Sequence, residues 1–195
     1  LINQTIEILI NVHYIKHMYK NMDILNYFIN EPEREFHVRE LAKLTKKSPS
    51  TISKYLKQLE KKHILLSEKK LNHLFFKANT ENQAFKDKKI FYSVEKIRKS
   101  NLISYLAQEY TPEAIILFGS FAKSENISTS DIDLLLITPV KKDTILDKFE
   151  KELNHKIQLF VHSKKEIEDI KNKNPRLLNN FINGIKLYGY WELFR

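Results

Sequence analysis

Apolar residues recur at two different spacings along this chain. From Asp23 to Ile29, and again through Arg39–Leu44 and Ser50–Leu59, they return every three or four positions, the period of an amphipathic helix. In the last of these Ile52, Leu56 and Leu59 share one face, leaving Ser50, Thr51, Ser53, Lys54 and Lys57 on the other. Glu31-Pro32 closes the first helix, and Ser48 followed by Pro49 is a cap-and-first-turn pair opening the third. Glu35–Val38 reads as a short strand, and Ile64–Ser67 and His73–Lys77 as two more around a tip at Glu68–Asn72. Phe85, Ile90, Phe91, Val94, Ile97, Leu102, Ile103 and Leu106 then form a looser helical stripe, of the kind buried as core or as a dimer seam. Beyond it come short, mostly apolar strand-like runs at Ala114–Phe118, Ile132–Ile137 and Lys156–Val161, with a helix from about Asp143 to Asn154 before the last.

The chemistry lies between the first two of those runs. Ala114–Phe118 feeds Gly119-Ser120-Phe121-Ala122-Lys123, a polar loop follows, and the next strand opens on Ser130-Asp131-Ile132-Asp133. Side chains alternate along a strand, so Asp131 and Asp133 are expected on one side, close enough to share a divalent cation. Glycine at 119 lets the backbone approach a ligand, with following amides free to meet a phosphate. In this order and context the segment resembles the Gly-Ser…Asp-x-Asp signature of the polymerase-beta-like nucleotidyltransferases, closest to their minimal single-domain branch. The resemblance implies an NTP ligand and magnesium, or manganese in its place. Gly119, Ser120, Lys123 and Ser130 would then hold the nucleotide, and Asp131 and Asp133 would be the metal-binding and catalytic acids.

Two positions depart from that pattern. Ser124 stands where the family has a second glycine. Gln158 stands in the strand where active relatives carry a third carboxylate, and a neutral amide binds metal weakly and is no general base near neutral pH. Two acids still hold one Mg²⁺, which keeps waters and takes phosphate oxygens as ligands. A second ion that activates an acceptor hydroxyl calls for the third acid. His155 and His162 bracket this strand and are expected at its ends in solvent.

Charge separates the two halves. Residues 1–100 hold 20 Lys/Arg against 11 Asp/Glu, while residues 101–195 hold 13 of each, so all of the net +9 lies in the first half. A compositional preference for lysine would raise both halves, so the asymmetry marks a polyanion partner. Three helices and a basic hairpin over about residues 20–80, with Leu41-Ala42…Ser50-Thr51-Ile52-Ser53…Leu56…Leu59-Glu60…Ile64-Leu65, resemble the ArsR/MarR-type winged-helix regulators. The resemblance implies double-stranded DNA as partner, with the third helix in the major groove and a homodimer on a palindromic site. Ser50, Thr51, Ser53 and Lys54 would face base edges, and Lys46, Lys47, Lys57, Lys69 and Lys70 would neutralise phosphates.

The expected fold class is α+β: an N-terminal winged helix-turn-helix and a C-terminal mixed sheet flanked by helices. The expected divisions are an extension at 1–17, a DNA-binding domain at 18–80, connecting helices at 81–110 and a nucleotidyltransferase-like domain at 111–195. Met18 is the expected natural start, and Ile6–Ile10 is too short for a signal-peptide core. Cysteine is absent, which excludes disulfides and cysteine-bound zinc, and no run reaches the length of a membrane span. A cytoplasmic protein is expected, with no membrane partner. The first functional reading is a transcriptional regulator whose second domain binds NTP and magnesium. An active nucleotidyltransferase modifying a hydroxyl, and an antitoxin-like partner of a HEPN-type toxin, are the alternatives.

Overall fold

The computed structural model describes residues 24–192, which divide into two units between Phe85 and Lys86. The expected extension at 1–17, and Asp23 at the start of the first predicted helix, lie outside the described residues.

In the first unit, helix α1 (residues 24–30) is followed by strand β1 (Phe36–His37), helix α2 (Val38–Thr45) and helix α3 (Pro49–Lys61). Strands β2 (Leu65–Lys70) and β3 (His73–Ala78) complete it. Helices α2 and α3 start where the sequence supplies a cap. His37 Nδ1 accepts from the Glu40 amide at the head of α2, and Ser48 Oγ accepts from the Thr51 amide at 3.2 Å with Pro49 in the first turn of α3. The predicted apolar face of α3 is the buried one, Ile52, Leu56 and Leu59. Phe28 and Phe36 meet edge to face at 5.0 Å. The three-stranded antiparallel sheet has the order β1-β3-β2. Its hairpin stays paired out to Lys70–His73, so the expected five-residue tip shrinks to Leu71-Asn72, both with positive φ (45° and 64°). That is the two-residue turn whose twist matches the strands, and it draws Glu68, Lys69 and Lys70 into β2.

The second unit contains residues 86–99 of helix α4 (Gln83–Lys99), then α5 (Leu102–Tyr110), β4 (Ala114–Phe118), α6 (Gly119–Lys123) and β5 (Ile132–Ile137). After these come α7 (Asp147–Leu153), β6 (Ile157–His162), α8 (Lys164–Lys173), α9 (Pro175–Ile182) and β7 (Ile185–Gly189). The mixed sheet runs β6-β5-β4-β7, with β5 and β6 parallel and the other pairs antiparallel. The parallel pair requires a crossover, and α7 provides it. Both faces are covered, which explains why β4 and β5 read as nearly continuous apolar runs. Ile115, Leu117, Leu134 and Leu136 pack with Leu102, Leu106, Tyr110, Phe149 and Leu153; Ala114, Ile116, Phe118, Leu135 and Ile137 pack with Ile167, Leu178 and Phe181.

Three sequence expectations change. The helix expected from about Asp143 begins only at Asp147, after a loop. The Gly119-Ser120 turn opens a short helix, α6. Helices α8 and α9 escaped the periodicity reading because lysine, glutamate and asparagine dilute their apolar positions. Their start signals were present: a capping box from Ser163 to Glu166, and Asn174 before Pro175. Among the described residues no helix is long and apolar enough to cross a membrane.

Candidate functional site

Strand β4 delivers Phe118 opposite Asp133 of β5, and the chain turns at Gly119 with φ +70°. A Cβ at residue 119 would lie 2.2 Å from Asp133 Oδ2, so the carboxylate occupies the space that any other residue's side chain would need. Glycine therefore serves two ends at this corner: a left-handed backbone, and contact with the acid. Asp133 is half-buried, and its carboxyl is raised above the ordinary range, first by burial and then by the neighbouring charge of Asp131. The structure thus brings Asp131, Asp133 and Gly119 together, as the motif predicts.

Gln158 completes the group. It pairs in register with Asp133 across the parallel β5–β6 ladder, and its Nε2 donates to Asp131 Oδ2 at 2.5 Å. An N–H directed at the carboxylate places partial positive charge where a cation would otherwise sit. Among the described residues no set of three His, Asp or Glu side chains is placed to hold a metal ion. Two clustered acids, one of them resisting ionisation in the absence of a cation, fit a single hard divalent ion that draws its remaining ligands from phosphate and water. They do not fit a pair of ions held by three protein carboxylates.

The loop leading into Asp131 is held from several sides. Ser130 Oγ accepts from the Ile127 amide at 2.9 Å, closing a small turn, so this predicted nucleotide-binding hydroxyl already has a structural bond. The Ser130 carbonyl meets His155 Nδ1 at 2.8 Å; a carbonyl can only accept, so the proton sits on Nδ1 and Nε2 keeps its lone pair. The His155 ring stands edge-on to Phe121 of α6 at 5.0 Å, and burial lowers its pKa. His162 is likewise partly buried, beside Phe181, with its pKa lowered for the same reason. Neither histidine is fully solvated as expected: Phe121 of α6 lies against His155 and Phe181 of α9 against His162, and both rings are partly buried.

Two residues that the sequence reading passed over also hold this region. Lys89 Nζ donates to the Asn126 carbonyl at 2.6 Å, and Lys96 Nζ to the Leu153 carbonyl at 2.8 Å. Burial lowers the pKa of both lysines. The available signal was their spacing of seven on α4, which puts two cations on one side of a helix among apolar residues. The loops they hold border a cavity of about 530 Å³ whose lining includes Ser130, Asp131, Asn154 and His155. Lys123 projects from α6 into solvent, its Nζ 3.4 Å from Asn180 Oδ1. Ser124 adopts the left-handed conformation (φ +64°) at the end of α6, and its hydroxyl is buried without a partner. A glycine, which the resemblance leads one to expect here, would take this conformation without cost, and serine meets it imperfectly.

In the first unit, Ser50, Lys54 and Lys57 are exposed along α3, with Thr51 and Ser53 partly so. The Ser48 hydroxyl lies 3.0 Å from that of Ser50 and 2.8 Å from that of Thr51, so the helix start is a chain of hydroxyls. Lys46 ends α2 in the left-handed conformation and is exposed, Lys47 is partly covered, and Lys69 is exposed on the hairpin. Lys70 is different: Glu35 at 2.6 Å and Glu68 at 3.1 Å already neutralise it and raise its pKa.

Residues 22–65 match the family described as bacterial regulatory protein, arsR family, and residues 100–192 match polymerase beta, nucleotidyltransferase. The chain joins an arsR-type helix-turn-helix to a polymerase-beta-type nucleotidyltransferase domain. The first match covers α1 through the start of β2, and the second covers the whole four-stranded sheet with Gly119, Asp131, Asp133 and Gln158. No curated protein and no solved structure matches the chain.

Proposed function

We infer that this protein is a DNA-binding transcriptional regulator whose nucleotidyltransferase domain binds a nucleoside triphosphate with one divalent cation. Nucleotidyl transfer is slow or absent in this reading. The observation that carries it is Gln158: it stands at the register position of Asp133, bonds to Asp131, and offers no third carboxylate. Asp131 and Asp133 suffice to fix a metal-bound triphosphate. When bound, the cation would neutralise phosphate charge and relieve the repulsion between the two acids. Ser120 and Lys123, both on α6, are assigned to the phosphates, and Ser130 supports the loop that sets Asp131.

The two domains are assigned as 18–80 and 111–195, with 81–110 between them, of which residues 86–110 pack as part of the second unit, and α3 is the helix that enters the major groove. A homodimer would present two copies of α3 to a palindromic site, and a DNA target implies a cytoplasmic place of action. A second reading, an active transferase acting on a hydroxyl, draws on the retained pair of acids against Gly119.

Thermal unfolding with each NTP and Mg²⁺ tests the first reading, for the wild type and for Asp131→Ala/Asp133→Ala. At 100 times its Kd a ligand stabilises by about 2.7 kcal/mol. A metal-dependent rise that the double variant loses is the expected result. No rise with any NTP would overturn nucleotide binding, and turnover of NTP with release of pyrophosphate would favour the second reading.

A further inference from the structure

We propose that Leu71, at the tip of the β2–β3 hairpin, is a wedge that enters a DNA duplex and opens a base step, so that the protein reads DNA deformability as well as base edges. This rests on the DNA-binding reading of the first unit. Leu71 is 95% exposed, the most exposed of the large hydrophobic residues described, and it stands at φ +45°. A two-residue turn with positive φ at both positions suits Asn, Asp or Gly. Asn72 follows that rule and Leu71 breaks it. Leucine at this place strains the backbone and leaves a whole apolar side chain in water, so neither folding nor solubility accounts for it.

A partner that covers the side chain does account for it, and the surroundings indicate which partner. Between Arg39 and Lys77 the chain carries 11 basic and 3 acidic residues. Lys69, exposed beside the tip, pairs in register with Leu74, itself 38% exposed, so apolar surface and positive charge lie on one face of the hairpin end. Lys70 is held back by Glu35 and Glu68, which stiffens the hairpin stem below the tip. Charge of this sign and density complements a phosphate backbone.

A leucine makes no hydrogen bond and cannot read base edges. What it can do in a duplex is replace water against base faces. Apolar side chains inserted from the minor groove partly unstack a base step and kink the helix by roughly 20–90°. Pyrimidine–purine steps such as TA yield most readily, so the wedge would favour sites with such a step under the hairpin tip.

The test uses the full chain and a short AT-rich duplex with donor and acceptor dyes at its ends. Affinity and end-to-end energy transfer are measured together at low salt, for the wild type, Leu71→Asn and Leu71→Phe. Thermal unfolding of each protein is measured alongside. The wild type should bend the duplex by at least about 20°. Leu71→Asn should unfold at the same or a higher temperature, because asparagine suits the turn, and yet bind about tenfold more weakly without bending. Leu71→Phe should keep the bend. Wild-type binding without a bend, or a bend that survives in Leu71→Asn, overturns the wedge and leaves DNA binding standing. A weaker Leu71→Asn complex with the bend intact reduces Leu71 to a groove contact and also overturns it. Absence of any salt-sensitive duplex binding by the wild type overturns both readings, and a concentration-dependent dimer lost in Leu71→Asn would assign the tip to a second copy instead.

Discussion

Gln158 donates its side-chain amide to Asp131 from the strand position that faces Asp133 in register, so one residue touches both acids of the candidate metal site, one by hydrogen bond and one by backbone pairing. Replacing it with Asp turns a donor into a third carboxylate. Without metal, Gln158→Asp should lower stability by about 1 kcal/mol, since a hydrogen bond to a charged but exposed group is lost and repulsion is added. With Mg²⁺ the variant should recover more than the wild type gains. Unfolding curves in chelator and in Mg²⁺ check this, and equal metal responses would remove Gln158 from the site.

Ser124→Gly should stabilise the protein by about 1–2 kcal/mol, because it relieves a left-handed serine and removes a buried hydroxyl without a partner. Denaturant unfolding measures it directly. A loss of stability would mean that the hydroxyl has a bound water or ligand as its partner.

Asp133 gives the fold a defined pH dependence. Its carboxyl is raised by burial and by Asp131, so between its unfolded pKa and its raised folded pKa the native state binds more protons than the unfolded chain. The contribution of this residue to stability is therefore most favourable in acid and declines as pH rises through the folded pKa. Asp133→Asn should be more stable than the wild type at neutral pH, with the gain vanishing towards the acid end. Thermal melts across that range test the sign, and a gain independent of pH would contradict it.

Lys54 and Lys57 are exposed along α3 and are assigned to the DNA interface. Alanine at a lysine that neutralises one phosphate should reduce the slope of log K against log salt by about 0.9. Lys70→Ala should change that slope far less, because Glu35 and Glu68 already compensate its charge. Duplex binding titrations over a salt series compare the three. Equal effects at all of them would show a diffuse positive field rather than a docked helix.

Much of this architecture was legible in the chain. Helical spacing identified the apolar face of α3, Ser48-Pro49 announced its start, and the Gly-Ser and Asp-x-Asp segments marked the corner where β4 and β5 meet. These are local signals, set by periodicity, capping and the backbone freedom of glycine, and they act within a few residues. Tertiary structure decided what depends on residues far apart in sequence. Parallel pairing put Gln158 beside acids 25 or more positions earlier, helices on both sides of the sheet turned His155 and His162 inward, and Lys89 and Lys96 found carbonyl partners across the second unit. Glu35 reached Lys70 only because β1, β3 and β2 lie side by side. Sequence determined by itself which residues could carry charge, cap a helix or bend a turn; long-range pairing and burial decided which of those groups meet, because desolvation and hydrogen-bond geometry exist only once distant segments are packed together.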